Sequence, residues 1–244
     1  MITTVKPSNA FTFKKFTIKQ TMCTMKVNTD GVLLGAWAII KNSKKVLDIG
    51  TGTGVIALMI AQRSEQTQIL GIDIDENSSI EAQENVSNSP YHDRVEIKHT
   101  SIQDYLKTDN DKFDLIISNP PFFTGGTFSA NENKANVRHT IKLPHGDLLN
   151  SVNQLLDSKG NFGLILPYIE GLRFIELAER SMLYPSHITE VRHRKEKPIE
   201  RLLINFKKEK TTKIHMEELL IMEEDGQTYT ESFKKLTQEF YIHF

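Results

Sequence analysis

The chain has 244 residues, 39% of them apolar and 25% charged, which suits one α/β domain with a sizeable core. Thirty Lys and Arg against 31 Asp and Glu leave a net charge of −1, so the protein is not a broadly basic nucleic-acid binder and any such contact needs a local patch. A single cysteine, Cys23, excludes an intrachain disulfide and fits a reducing, cytoplasmic setting, and no apolar stretch approaches a membrane span.

In chain order, FTFKKFTIKQ (11–20) alternates like a strand, and Val32 to Ile40, Trp37 included, reads as a buried helix. Val46 to Gly50 is a short apolar strand running into glycines, followed by helical spacing from Val55 to Arg63. Gln68–Asp73, Val95–Thr100, Phe113–Asn119 and Gly163–Pro167 read as further strands. Glu76–Ser87, Asp147–Ser158 and Tyr168–Met182 read as helices, with Gly160 placed as the left-handed residue after the second. Ile188–Arg194 and Arg201–Lys207 look like a closing pair of strands, and TESFKKLTQEFY (230–241) like a terminal amphipathic helix. Alternating strands and helices from 45 to 182 imply a mostly parallel sheet covered on both faces. A single domain is expected, with an N-terminal cap at 1–44, a core at 45–210 and a C-terminal extension at 211–244.

The first strand ends in Gly50, Gly52 and Gly54, between a strand and a helix. Without Cβ atoms the backbone there can turn sharply and approach a ligand. The dinucleotide fingerprint needs its third glycine at the position of Val55, and no Gly-Lys-Ser/Thr follows, so neither a pyrophosphate site nor a P-loop is indicated. Asp73 closes the second strand, 19 residues after Gly54, where a carboxylate can accept from both hydroxyls of a ribose. The pattern describes a nucleoside ligand without a pyrophosphate.

VLDIGTGTG (46–54) followed by GIDID (71–75) resembles the S-adenosylmethionine site of class I methyltransferases. The resemblance implies a seven-stranded, mostly parallel Rossmann-like sheet whose last strand is antiparallel. It places Asp48 and the glycine loop under the methionine part of the cofactor, Asp73 on the ribose, and Ile74 alongside. Many relatives carry an adenine-binding Asp after the third strand; here Ser101 stands in that place, followed by Ile102.

IISNPPFF (116–123) ends a strand on Asn119 and at once presents two prolines and two phenylalanines. Tandem prolines end a strand because neither donates to the ladder, but a turn alone explains neither the amide nor the rings. NPPF resembles the motif of amino-methyltransferases that act on planar, amide-like nitrogens. The resemblance implies Asn119, Pro120, Pro121 and Phe122 as the catalytic set. The Asn119 side-chain oxygen and the Pro120 carbonyl would each accept one N–H of the acceptor amine. Pro121 would stiffen the loop, and Phe122 would offer a stacking face worth about 1–3 kcal/mol. Asn119 also borders the cofactor in this resemblance, and Phe123 is either substrate wall or core.

The segment FTFKKFTIKQTMCTMKVNTDGVLLGAWA (11–38), RHTIKL (138–143) and the closing YTESFKKLTQEFYIHF resemble bacterial methyltransferases of the valine-tRNA adenine-N6 type. That resemblance implies tRNA as partner and a cap over the cofactor, with Lys26, Thr29 and Asp30 as cofactor contacts. It also leaves two alternatives: glutamine-N5 methylation of a protein, and a non-catalytic cofactor- and RNA-binding protein. Arg192 to Lys213 holds nine Lys or Arg against three Glu, so Arg192, Arg194 and Lys195, together with Arg138, are candidate RNA contacts. A solvated strand face is the other reading of that run. His139, His145 and His193 lack metal-ligand spacing, so no metal is expected, and a monomer is favoured.

Overall fold

The computed structural model describes residues 9–109, 111–120 and 143–244. Its centre is a sheet of short strands that are apolar on both faces. β3 (Lys45–Ile49), β4 (Gln68–Asp73), β5 (Val95–His99) and β6 (Phe113–Ser118) run parallel, as does β7 (Leu156–Pro167) beside β6. β8 (Tyr184–Arg192) and β9 (Arg201–Lys207) follow, and β9 is antiparallel to both β7 and β8. β10 (His215–Leu220) pairs in parallel with β8 and makes an eighth strand, giving the order β10-β8-β9-β7-β6-β3-β4-β5. The expected seven-stranded sheet is thus present with one strand added at its edge.

Alternation along the strands divides the core in two. Val46, Leu115, Ile117 and Leu203 face one layer, while Leu47, Ile116, Leu202 and Ile204 face the other. The first layer is covered by α1 (Thr29–Trp37), α2 (Val55–Arg63), α3 (Glu76–Ser87) and α7 (Glu231–Thr237). The second is covered by α4 (Ile102–Thr108), α5 (His145–Leu155) and α6 (Tyr168–Arg180).

Two expectations are corrected, and one helix is added. The alternating segment 11–20 is not one strand but a hairpin, β1 (Ala10–Thr12) against β2 (Thr17–Lys19), because Lys14 and Lys15 occupy its turn. Gly160 does not end a helix: α5 stops at Leu155 and β7 starts at once, with Gly160 inside it. A Cβ on Gly160 would lie 2.8 Å from Leu156 Cδ1 and 3.1 Å from the Asp114 carbonyl, so the glycine serves a close approach beside a register shift between β6 and β7. The segment 102–108 is a helix, α4, which the sequence reading did not mark.

The chain's two flanks pack on each other. Lys14 N donates to the Phe240 carbonyl at 2.8 Å, and Phe11, Phe13, Phe233 and Tyr241 form a continuous ring cluster. Between them, α1 crosses α2 closely, since a Cβ on Gly35 would meet Met59 Sδ at 2.8 Å. Strand order reverses between β3 and β6, and at such a switch point ligands bind outside the carboxyl ends.

Candidate active site

The reversal brings the two sequence motifs together. β3 and β6 are in register from Val46↔Leu115 to Ile49↔Ser118, so the glycine loop and Asn119 leave adjacent strands side by side. The Ser118 hydroxyl donates to the Ile49 carbonyl at 2.9 Å, fastening the strand ends at the point where both loops begin.

Gly50, Gly52 and Gly54 have φ of 73°, 54° and 79°, a region where a side chain is strained. The loop is tied to the end of β4, where Gly50 N and Thr51 N both donate to the Ile72 carbonyl at 2.9 and 3.0 Å. Among the described residues nothing lies within 4 Å of a Cβ built on Gly50 or Gly52, and the loop presents open backbone to them. Gly54 faces inward instead, 3.5 Å from Ala82 Cβ of α3.

Asp48 lies below the loop and is fully buried. Its Oδ2 accepts from the Thr51 hydroxyl at 2.8 Å, and its Oδ1 has no partner among the described residues. Burial pushes this carboxyl up to about 7, against the Thr51 hydrogen bond and with help from Asp73. A cation placed over the loop would restore the ionised form. Asp73 Oδ2 accepts from Gly52 N at 2.8 Å and Oδ1 from Asp75 N at 2.9 Å, which aims the carboxylate across the loop and leaves lone pairs for two hydroxyls. Burial raises Asp73 above the ordinary carboxylate range. Ile74, directly after it, is an apolar side chain left 71% exposed.

These features fit S-adenosylmethionine: an open glycine cradle, an orphaned buried carboxylate oxygen for a cationic ligand, and an oriented carboxylate for a diol. Asp73→Ala is therefore expected to weaken cofactor binding more than tenfold while the fold survives, the loss of a paired polar contact worth roughly 1–3 kcal/mol. An unchanged dissociation constant in calorimetric titration would refute this.

Asn119 is half-buried and Pro120 is buried. Asn119 Oδ1 is buried with no hydrogen-bond partner among the described residues, an acceptor those residues leave unused. α1 passes beside its amide: a Cβ on Gly31 would lie 3.8 Å from Asn119 Nδ2. Pro121, Phe122, Phe123 and Arg138 lie outside the described residues.

The cap contacts divide. Lys26 and Thr29 are exposed, and Asn28 caps α1 by accepting from Gly31 N at 2.9 Å. Asp30 is committed within the fold, its Oδ2 accepting from Arg201 Nε at 2.8 Å across to the start of β9. Ser101 is likewise engaged: its hydroxyl caps α4 by accepting from Asp104 N at 3.0 Å and donates to Asp104 Oδ2 at 2.7 Å. Ile102 is buried.

The basic run begins at the carboxyl end of β8, on the same edge of the sheet as Asn119 and three strand spacings away, roughly 14 Å. Arg192 works inside the fold, donating from Nε to Glu218 Oε1 and from Nη1 to the Lys197 carbonyl, both at 2.8 Å. The Arg194 guanidinium packs over Gly226, while Lys195 is exposed.

Sequence reasoning missed the polar face of α3. Glu81 is fully buried and holds the chain at 21–23: Oε1 accepts from Thr21 N at 2.5 Å and the Thr21 hydroxyl at 2.7 Å, and Oε2 accepts from Cys23 N at 2.8 Å. Asn85, one turn on, accepts from Lys19 N at 2.8 Å and donates to the carbonyls of Lys19 and Thr53, both at 2.9 Å. These two residues tie the N-terminal segment to the glycine loop. The only sequence signal was a helix with little apolar periodicity.

The methyltransferase small domain family model matches residues 28–161. A Proteus mirabilis protein named tRNA1(Val) (adenine(37)-N6)-methyltransferase is 40% identical over 96% of this chain and 94% of its own. Its namesake from Trichodesmium erythraeum is 41% identical over 97% and 99%. Among solved structures, Atu636 of Agrobacterium tumefaciens, described as a predicted O-methyltransferase, superposes with a TM-score of 0.67 at 15% identity over 86% of this chain and 96% of that one, which shows the fold. The chain belongs to the methyltransferase small domain family, and within it to the full-length family of those curated relatives, enzymes that methylate with S-adenosylmethionine.

Proposed function

We propose that the protein methylates the exocyclic N6 amine of the adenosine at position 37 of valine tRNA. The observation that carries this is the buried Oδ1 of Asn119 beside the glycine loop, which has no hydrogen-bond partner among the described residues. Support for the substrate comes from relatives about 40% identical over nearly the whole chain, whose names specify that nucleoside.

The N6 amine of adenine is a poor nucleophile because its lone pair is delocalised into the ring. Asn119 Oδ1 accepts one N–H and the Pro120 carbonyl the other, which draws the nitrogen toward tetrahedral geometry and turns its lone pair out of the ring. When bound, S-adenosylmethionine would supply an electrophilic methyl carbon on a sulfonium, and the two acceptors would aim the amine lone pair at that carbon. The proton lost on N6 methylation would pass to solvent. Orientation does most of the work and is worth roughly 7–11 kcal/mol. Loops present unstacked bases and helices hide them, so an anticodon-loop adenosine is reached at the unstacking cost of a few kcal/mol.

Unmodified valine tRNA, methylated in vitro, digested and mapped by mass spectrometry, is expected to carry N6-methyladenosine at position 37. Methylglutamine in a protein pool, or methyladenine in DNA alone, would overturn the reading. Methyladenosine in another RNA would leave the chemistry standing and remove the substrate.

A further inference from the structure

The added edge strand creates a side-chain cluster that sequence spacing does not reveal. β8 and β10 run parallel with His187 opposite His215 and Thr189 opposite Glu217. His215 and Glu217 are two residues apart and so share a face of the sheet. Their side chains meet that of His187: Glu217 Oε1 lies 2.7 Å from His215 Nε2 and Oε2 lies 3.1 Å from His187 Nε2. The three ligand atoms all fall within 4.8 Å of one another.

We propose that His187, His215 and Glu217 form a binding site for a divalent transition metal, with zinc as the best match. Two imidazoles and one carboxylate are the donor set that selects zinc and its neighbours over magnesium or calcium, which prefer all-oxygen shells. The spacing fits. Donors at ~2.0–2.2 Å from a tetrahedral ion lie about 3.3 Å apart, close to the two contacts observed. The remaining imidazole–imidazole gap closes by rotation of His215, whose side chain is 62% exposed.

His187 is pre-oriented. Its ring is held between those of Trp37 and His215, at 5.0 and 4.6 Å between centroids, and its side chain is only 18% exposed. Trp37 is itself fixed, donating from Nε1 to the Thr189 hydroxyl at 2.9 Å. One well-held imidazole on a rigid strand and two adaptable ligands on its neighbour leave a fourth position for water.

His187 lies near the amino end of β8, and β8 runs parallel to the catalytic strand β6, so the site is on the edge of the sheet away from Asn119. The metal therefore clips the edge strand, and with it the segment leading to α7, and takes no part in methyl transfer.

The test is calorimetric titration of the full, untagged chain with zinc chloride and with magnesium chloride, alongside thermal unfolding. One equivalent of zinc is expected to bind, raising the unfolding midpoint by about 5–10 °C at a free concentration a hundredfold above the dissociation constant. His215→Ala and Glu217→Gln, both at exposed positions, are expected to fold, to retain methyl transfer and to bind zinc at least tenfold more weakly. No saturable binding up to about 1 mM, equal affinity for magnesium, or unchanged zinc affinity in both variants would overturn the site. Unaltered unfolding in wild type saturated with zinc would overturn the clip.

Discussion

Asn119→Ala is expected to lower the rate of methyl transfer at least about a hundredfold and to leave cofactor affinity within about twofold. Among the described residues Oδ1 has no hydrogen-bond partner, so its removal breaks no described contact of that atom. On the proposed mechanism, what is lost is one of two acceptors that would orient the attacking nitrogen. The backbone at 119 continues a strand locked to β3 by the Ser118 hydroxyl, so the glycine loop keeps its place when the amide is cut back. On the proposed site, the cofactor would be held from that loop and from Asp73, on the neighbouring strands β3 and β4. Single-turnover assays on unmodified tRNA, paired with calorimetric titration of S-adenosylmethionine, separate the two effects. Residual turnover above about 1% would contradict the assignment, as would loss of cofactor binding in a folded variant.

Much of the catalytic edge was legible because its residue types have few other uses in those places. Glycines at 50, 52 and 54 after an apolar strand demand positive φ, and all three have it. An Asp ending the next strand, and an Asn followed by two prolines, each mark where a strand stops, and β4 and β6 end at Asp73 and Ser118. The flanks were less legible. β10 (HMEELL) buries only Leu219 and shows no alternation; it is a strand because β8 offers it a backbone register. Gly160 carries the same composition signal as a helix C-terminus, yet tertiary crowding by Leu156 and Asp114 decides its role. Ser101 stands where a cofactor contact is expected, and it is also the N-cap of the helix that follows, a role a serine after a strand commonly takes. Arg192 read as part of a basic run, and its partner Glu218 stands on a strand that local pattern did not reveal.

Glu81→Gln is expected to destabilise the protein by about 2–3 kcal/mol at pH 7. In a helix with weak apolar periodicity a Glu reads as solvated, but this one is fully buried beneath the chain at 21–23. Burial alone would raise its pKa. The Thr21 hydroxyl and the backbone N–H groups of Thr21, Met22 and Cys23 outweigh that and bring it down to about 2 from 4.5. A carboxylate is the right group here because every partner donates, and a glutamine would turn an N–H toward other N–H groups. The sign follows from the depressed pKa. The contribution is fully present above pH 4.5, where the unfolded group is already ionised, and is lost as pH falls through about 2. Denaturant melts of wild type and variant across pH 7 to 2.5 therefore show a gap that is constant down to about pH 5 and then narrows. The segment Glu81 anchors leads into α1, whose Gly31 backs Asn119, so the variant also loses cofactor affinity and methyl transfer together. A stability difference below about 0.5 kcal/mol, or one that does not change with pH, would show that the loop is held by other contacts.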